Sequence, residues 1–219
     1  MPPFLEIVAY APCNSHELAQ QHVNTLARVL QGIGITGPEL DDWLAKNATA
    51  LANGEFWNYE TWYGVDIGDY QLRARPHLMS WTPETISGLG EIWLQTGLYF
   101  ELHEVLGTYG FEESGDRFPP RSGQALWSLM RHFAQDFGSA GVYLIVETSV
   151  YPWEVLNEID GDVWQFHLAL VPHDMQQHFN NPPSNILVER LDYGIGMLNK
   201  GIDRWPIHWP EIPWQENVT

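Results

Sequence analysis

Apolar and polar residues alternate in several parts of the chain, and this period of two predicts β-strands. Residues 4–10 form a strand-prone segment, and Leu98, Phe100 and Leu102 alternate with polar neighbours as in a strand with one buried face. The run 142–151 carries so few charges that we expect both of its faces to be covered, in the middle of a sheet.

Three further regions bear on the number of strands. The segment 56–81 is aromatic and β-branched and is interrupted by glycine and proline, which predicts two or three short strands, and 163–171 predicts one more. The segment 186–198 fits either a helix or a strand, and its sequence leaves both open.

Apolar residues three or four positions apart predict four helices. The first begins at a capping box formed by Asn14 and Glu17, and the second has Pro38 in its first turn. The predicted helices cover 14–32, 38–53, 82–95 and 122–137.

Helices and strands are interleaved without regular alternation, which predicts an α+β fold. We expect a single domain over 1–201, with a mixed, mostly antiparallel sheet of about five or six strands and helices packed mainly on one face. Residues 202–219 are rich in tryptophan and proline. They are expected to form a C-terminal segment that either straps across the domain or docks on a partner.

The charge of the chain limits its partners. Twenty-eight acidic side chains stand against ten basic ones, a formal net charge of −18 at pH 7. This charge repels phosphate backbones, and the chain lacks the basic stripe of a nucleic-acid binder, so we expect no direct nucleic-acid binding. The same charge attracts a basic protein partner, such as a toxin or a nuclease.

Cysteine content and apolar run length indicate the compartment. Cys13 is the only cysteine, so the chain can form neither an internal disulfide nor a cysteine-based metal site. No apolar run approaches the roughly 18 residues that a membrane span needs, and the first residues lack the pattern of a secretory signal. We expect a cytoplasmic protein, a monomer or small homo-oligomer, that needs no cofactor.

These features predict a non-catalytic, acidic protein-binding module. In size, acidity, cysteine content and α+β character the chain is similar to the immunity proteins of bacterial toxin–immunity pairs, which neutralise basic nucleases or other effectors by covering their active sites. The similarity lies in composition, covers no motif and carries over no residue. The candidate partner-binding residues are acids expected to be exposed and the tryptophans of the tail: Asp41, Asp42, Glu112, Glu113, Asp116, Trp205, Trp209 and Trp214.

Two alternatives stay open. A metal-dependent hydrolase would use Glu101, His103 and His167, whose oxygen and imidazole ligands suit zinc, iron or manganese, if the strand of Glu101 pairs with the strand of His167. A structural assembly subunit would dock through its tryptophan-rich tail. The zincin spacing, the phosphate-binding glycine loop and the nucleophile elbow are all missing from the sequence.

Overall fold

A computed structural model describes residues 4–67, 70–84, 89–101, 122–146, 153, 162–200 and 212–215. Three α-helices are described: α1 (His16–Gly32), α2 (Pro38–Ala50) and α3 (Ser122–Phe137). The eight strands are β1 (Phe4–Pro12), β2 (Tyr63–Ile67), β3 (Tyr70–Trp81), β4 (Trp93–Glu101), β5 (Val142–Val146), β6 (Leu168–Val171), β7 (Ile186–Leu191) and β8 (Gly194–Asn199). Short 3₁₀ turns cover Leu51–Asn53, Gly138–Ala140 and His173–His178.

All eight strands belong to one sheet, in the order β2-β3-β4-β1-β5-β6-β8-β7. Every pairing between the described strands is antiparallel. The prediction of a mixed sheet of five or six strands is therefore wrong. The expectation that the segment beginning at Val142 lies in the middle of a sheet is confirmed, because β5 is flanked by β1 and β6.

The additional strands come mainly from the segment 186–198, which forms a hairpin of two strands, β7 and β8. Its turn ends at Gly194, whose φ of 154° favours glycine and whose absent Cβ would stand 2.7 Å from the backbone oxygen of Val171. The segment lacks the Asn-Gly or Asp-Gly pair that marks a two-residue hairpin, so its sequence gave no sign of the turn.

Two predictions about helices also differ from the structure. The helix expected over 82–95 is wrong, because none of its described residues, 82–84 and 89–95, is helical and 93–95 belong to β4, while 85–88 fall outside the described residues. In α1 the N-cap is Ser15 rather than Asn14, since the Ser15 hydroxyl accepts from the amide of Leu18 at 3.1 Å. The Asn14 side chain instead donates to Glu91 Oε2 at 2.5 Å.

The two faces of the sheet carry different cores. On one face, Leu5 and Ile7 of β1 share a core with apolar side chains of α1, α2 and α3. On the other face, Tyr10 of β1 stacks on Trp153 with ring centroids 4.6 Å apart, and Tyr143 and Phe166 continue this aromatic core. In the part of the chain that the structure describes, no helix is both long and apolar enough to cross a membrane.

Candidate functional site

The exposed side of α2 carries a run of acids. Pro38 occupies the first turn together with Glu39 and Asp41, where the helix dipole favours negative charge. Leu40, Trp43, Leu44 and Leu51 are buried as their helical spacing predicts, while Glu39, Asp41 and Asp42 are exposed.

The segment that follows α2 presents an exposed tryptophan on a fixed backbone. Asn47 is fully buried, and its amide both accepts from the Trp57 backbone N–H at 2.9 Å and donates to the Trp57 carbonyl at 3.2 Å. The indole of Trp43 donates to the same carbonyl. The backbone of Trp57 is thus held by side chains of α2, while its own side chain is 60% exposed.

Two tyrosine hydroxyls lie close enough to the acids of α2 to feel their charge. The ring of Tyr59 packs on Trp43 at 4.9 Å, and its hydroxyl forms a hydrogen bond with the hydroxyl of Tyr63. Burial raises the pKa of Tyr63 well above its usual range, and the hydrogen bond with Tyr59 and the carboxylates of Glu39 and Asp41 raise it further. The negative charges of Glu39 and Asp41 therefore lie near enough to the tyrosine pair to affect its ionisation.

We call this surface the acid–aromatic face and define it by five residues: Glu39, Asp41, Trp57, Tyr59 and Tyr63. Among the described residues, no cation lies within ion-pair distance of Glu39 or Asp41. The one cation of α2, Lys46, forms no ion pair with Glu39 or Asp41 either. The acid–aromatic face is negative and carries a large apolar ring ready for contact.

The remaining predicted partner-binding residues lie elsewhere. Glu112, Glu113, Asp116, Trp205 and Trp209 are outside the described residues.

Trp214, the described tryptophan of the C-terminal segment, packs on the chain's own domain. Its ring lies 4.9 Å from that of Trp127 in α3, and its indole donates to Glu189 Oε2 in β7 at 2.8 Å. Next to it, the Gln124 side chain donates to the backbone oxygen of Gln215 at 3.1 Å.

The candidate metal residues do not converge in the described part of the chain. Glu101 ends β4, and His167 precedes β6, with β1 and β5 between them, so their strands stand roughly 14 Å apart at about 4.8 Å per spacing. The pairing on which this candidate depended is not formed, and His103 is outside the described residues. No group of three or more His, Cys, Asp or Glu side chains within the described ranges could hold a metal ion.

His167 and Cys13 are both buried and both held in their uncharged forms. Burial lowers the pKa of His167 from its ordinary value of 6.5 to about 4. Burial raises the pKa of the Cys13 thiol to about 11, so it is protonated and unreactive at neutral pH.

The structure also contains a buried polar array that sequence analysis missed. Trp81 donates to Gln95 Oε1 at 2.7 Å, and the amide nitrogen of Gln95 donates to Glu6 Oε1 at 3.1 Å. The same carboxylate oxygen lies 3.0 Å from His77 Nε2, in an approach that is bent away from the ring N–H direction. The array joins β3, β4 and β1, and its signal in the sequence was one glutamate inside the apolar segment 4–10.

The protonation of His77 follows from this array. An indole N–H can only donate, so the oxygen of Gln95 faces Trp81 and its nitrogen faces Glu6. Glu6 Oε1 is then an acceptor, which favours the His77 tautomer with its proton on Nε2. Burial first, and then the charge of Arg75, holds the pKa of His77 well below its usual range, so the ring is neutral at pH 7. Since the side chain is 7% exposed, we assign the array a structural role.

Comparison of the chain with models of known protein families, with curated proteins and with solved structures finds no match.

Proposed function

We propose that the chain is a non-catalytic binding protein whose acid–aromatic face covers a basic surface of a partner protein, as a toxin-neutralising immunity-type or other inhibitor protein would. The observation that carries this proposal is Trp57, whose side chain is 60% exposed on a backbone fixed by the buried Asn47. A large apolar ring that is exposed to water and held on a fixed backbone is typical of a contact surface. Tryptophan is also enriched among the residues that dominate binding energy.

Charge and preorganisation support the same reading. Glu39 and Asp41 have no cation within ion-pair distance in the described part of the chain, so a lysine or arginine of the partner can supply the missing countercharge. Because the Trp57 backbone is held in place before binding, little conformational entropy remains to be lost on association. The net charge of −18 speeds encounter with a basic partner by long-range attraction.

The metal-dependent alternative has less support. Glu101 and His167 lie on strands separated by two others, so they do not form the shared face on which that hydrolase reading depended. The proposal also carries the expectation of a reducing compartment, the cytoplasm, because a single cysteine can form no internal disulfide.

Parallel affinity capture from a lysate of the source organism tests the proposal. The wild-type chain is expected to recover a strongly basic protein in equimolar amount, while Trp57→Ala and the pair Glu39→Lys, Asp41→Lys lose it. Asp192→Lys is the control for charge reversal at a distant position, because Asp192 is exposed in the β7–β8 turn at the opposite edge of the sheet. Capture counts as support only when these variants separate in this way, and equal recovery by all of them contradicts the proposal.

A further inference from the structure

The acid–aromatic face is built along successive turns of α2. Glu39, Trp43 and Asn47 are each one helical turn from the next, about 6 Å along the helix axis. The side chains of Trp43 and Asn47 hold the backbone of Trp57, and the ring of Tyr59 packs on Trp43 at 4.9 Å. The segment after α2 therefore runs back along the helix toward its first turn, where the acids lie.

The hydroxyls of Tyr59 and Tyr63 offer more acceptor than donor capacity. Each hydroxyl has one proton and two lone pairs, and the hydrogen bond between the two uses one proton and one lone pair. One proton and three lone pairs then remain for other groups. The carboxylates of Glu39 and Asp41, close enough to affect the ionisation of Tyr63, can only accept. This part of the surface is therefore a set of acceptors that favours a ligand with several N–H donors.

The same surface joins exposed rings to uncompensated negative charge. Phe56 and Trp57 are adjacent and both exposed, at 36% and 60%. Among the described residues, no lysine or arginine lies over a ring of the acid–aromatic face or within ion-pair distance of its acids. From 38 to 60 the chain carries one basic residue, Lys46, against five exposed acids: Glu39, Asp41, Asp42, Glu55 and Glu60. The chemistry of the surface thus matches a cation that also packs on aromatic rings.

We infer that the basic partner presents an arginine, rather than a lysine, to the acid–aromatic face, an inference that rests on the proposed function. The carboxylates of Glu39 and Asp41 and the hydroxyls of the tyrosine pair accept from its guanidinium. A guanidinium has five N–H donors in one plane, so it can serve carboxylate and hydroxyl oxygens together, whereas an ammonium has three donors around a point charge. The guanidinium plane also stacks on aromatic rings and is more weakly hydrated, so it loses less on leaving water.

Titration of the full chain with Nα-acetyl-arginine methylamide, and separately with the lysine equivalent, tests the inference at constant ionic strength. The tyrosine rings are labelled with ¹³C, and the Tyr63 signal in the NMR spectrum is assigned by its absence from the spectrum of Tyr63→Phe. The arginine probe is expected to shift this signal saturably, with a dissociation constant lower than that of the lysine probe by about threefold or more. Equal or tighter binding of the lysine probe, or no saturable shift with either probe, overturns the inference.

Variants locate the site. Glu39→Gln and Asp41→Asn keep the shape of exposed side chains and each remove one charge, so each is expected to weaken binding of the arginine probe by about threefold. Asp192→Asn is the matched control, because it removes one exposed charge in the β7–β8 turn at the other edge of the sheet. Wild-type affinity in both acid variants, or equal weakening in Asp192→Asn, contradicts the site.

Failure of this inference is distinct from failure of the proposed function, because the probes bind without the partner. Capture of a basic protein that depends on Trp57, together with no preference for the arginine probe, refutes the arginine and leaves the proposed function standing. Selective binding of the arginine probe, together with capture that is equal in the wild type and in the variants of the face, supports the arginine site and contradicts the proposed function.

Discussion

At the scale of single residues, Gly97 decides whether the buried array can form. It lies in β4, between His77 of β3 and Glu6 of β1, so the imidazole reaches the carboxylate only across a residue without a side chain. An added Cβ atom would stand 1.8 Å from the backbone oxygen of Ile7 and 2.8 Å from His77 Nε2. A backbone in the centre of a sheet cannot move aside cheaply.

Gly97→Ala is therefore expected to lower the free energy of unfolding by roughly 3 kcal/mol or more, measured by urea denaturation. Gly32→Ala is the control: an added Cβ there meets nothing within 4 Å at the end of α1, so a small gain or no change is expected. Equal effects of the two substitutions would show that the close approach at Gly97 is not a constraint on stability.

His167 gives the stability a pH dependence of known sign. Its pKa is about 4 in the folded chain and near 6.5 when exposed by unfolding, so between these values the unfolded state binds more protons. The contribution of the neutral buried ring is fully present above pH 6.5 and is lost as the pH falls toward 4. Between pH 7 and pH 5 the protonation of this single group in the unfolded chain is expected to lower the free energy of unfolding by roughly 2 kcal/mol.

The measurement is the free energy of unfolding of the wild type and of His167→Gln at both pH values. The variant should lose less stability on acidification by about that amount. His16→Gln, at an exposed position of α1, should behave like the wild type. If His167→Gln and the wild type change in parallel between the two pH values, His167 is not held neutral by burial.

At the scale of elements, Trp214 connects parts of the chain that are distant in sequence. Its ring packs on Trp127 of α3 and over Gly196 of β8, where an added Cβ would stand 3.2 Å from the ring, and its indole donates to β7. Gly196 thus makes room for the indole at the point where the helix side of the domain meets the β7–β8 hairpin.

Trp214→Ala is accordingly expected to lower the free energy of unfolding by about 2 kcal/mol, less than for a fully buried tryptophan because Trp214 is only partly buried. Trp57→Ala is the matched control, since its side chain is 60% exposed and should contribute under about 0.5 kcal/mol to folding. Thermal denaturation of the two variants separates a packed tryptophan from one presented to a partner. The reverse order of effects would contradict this assignment.

The elements that local sequence predicted well are those whose apolar spacing fits only one type of secondary structure. The stripes of α2 and of 122–137 and the strand at the N-terminus are of this kind, since their buried residues repeat with a helical or strand period. The hairpin in 186–198 and the placing of Gln95 in β4 were not predictable, because both depend on neighbouring strands. Pairing partners are non-local, so the wrong sheet size and the separation of Glu101 from His167 share one cause.

The candidate site was predictable only in part for the same reason. Asp41 and Asp42 were predicted to be exposed because they lie outside the apolar stripe that the helical period of α2 buries. Trp57 did not stand out, because its exposure depends on Asn47, ten residues earlier, and an isolated sequence gives no sign of that contact.

At the scale of the whole molecule, the net charge of −18 sets how association responds to salt. Screening over about 8 Å at physiological ionic strength weakens long-range attraction and leaves close contacts largely unchanged. We expect the association rate constant with the basic partner to fall at least tenfold between 0.02 M and 0.5 M sodium chloride, and the dissociation rate constant to change much less, as measured by surface plasmon resonance. An association rate independent of salt would show that charge does not guide the encounter.

The affinity of the acid–aromatic face for the captured basic protein tests the account most directly. Isothermal titration of the purified basic protein with the Trp57→Ala variant is predicted to give a dissociation constant at least 30-fold higher than with the wild type, about 2 kcal/mol. The variant is expected to fold as the wild type does. Asp192→Lys, roughly 30 Å away at the far edge of the sheet, should bind within threefold of the wild type. Wild-type affinity in Trp57→Ala and in the Glu39→Lys, Asp41→Lys pair would contradict the account.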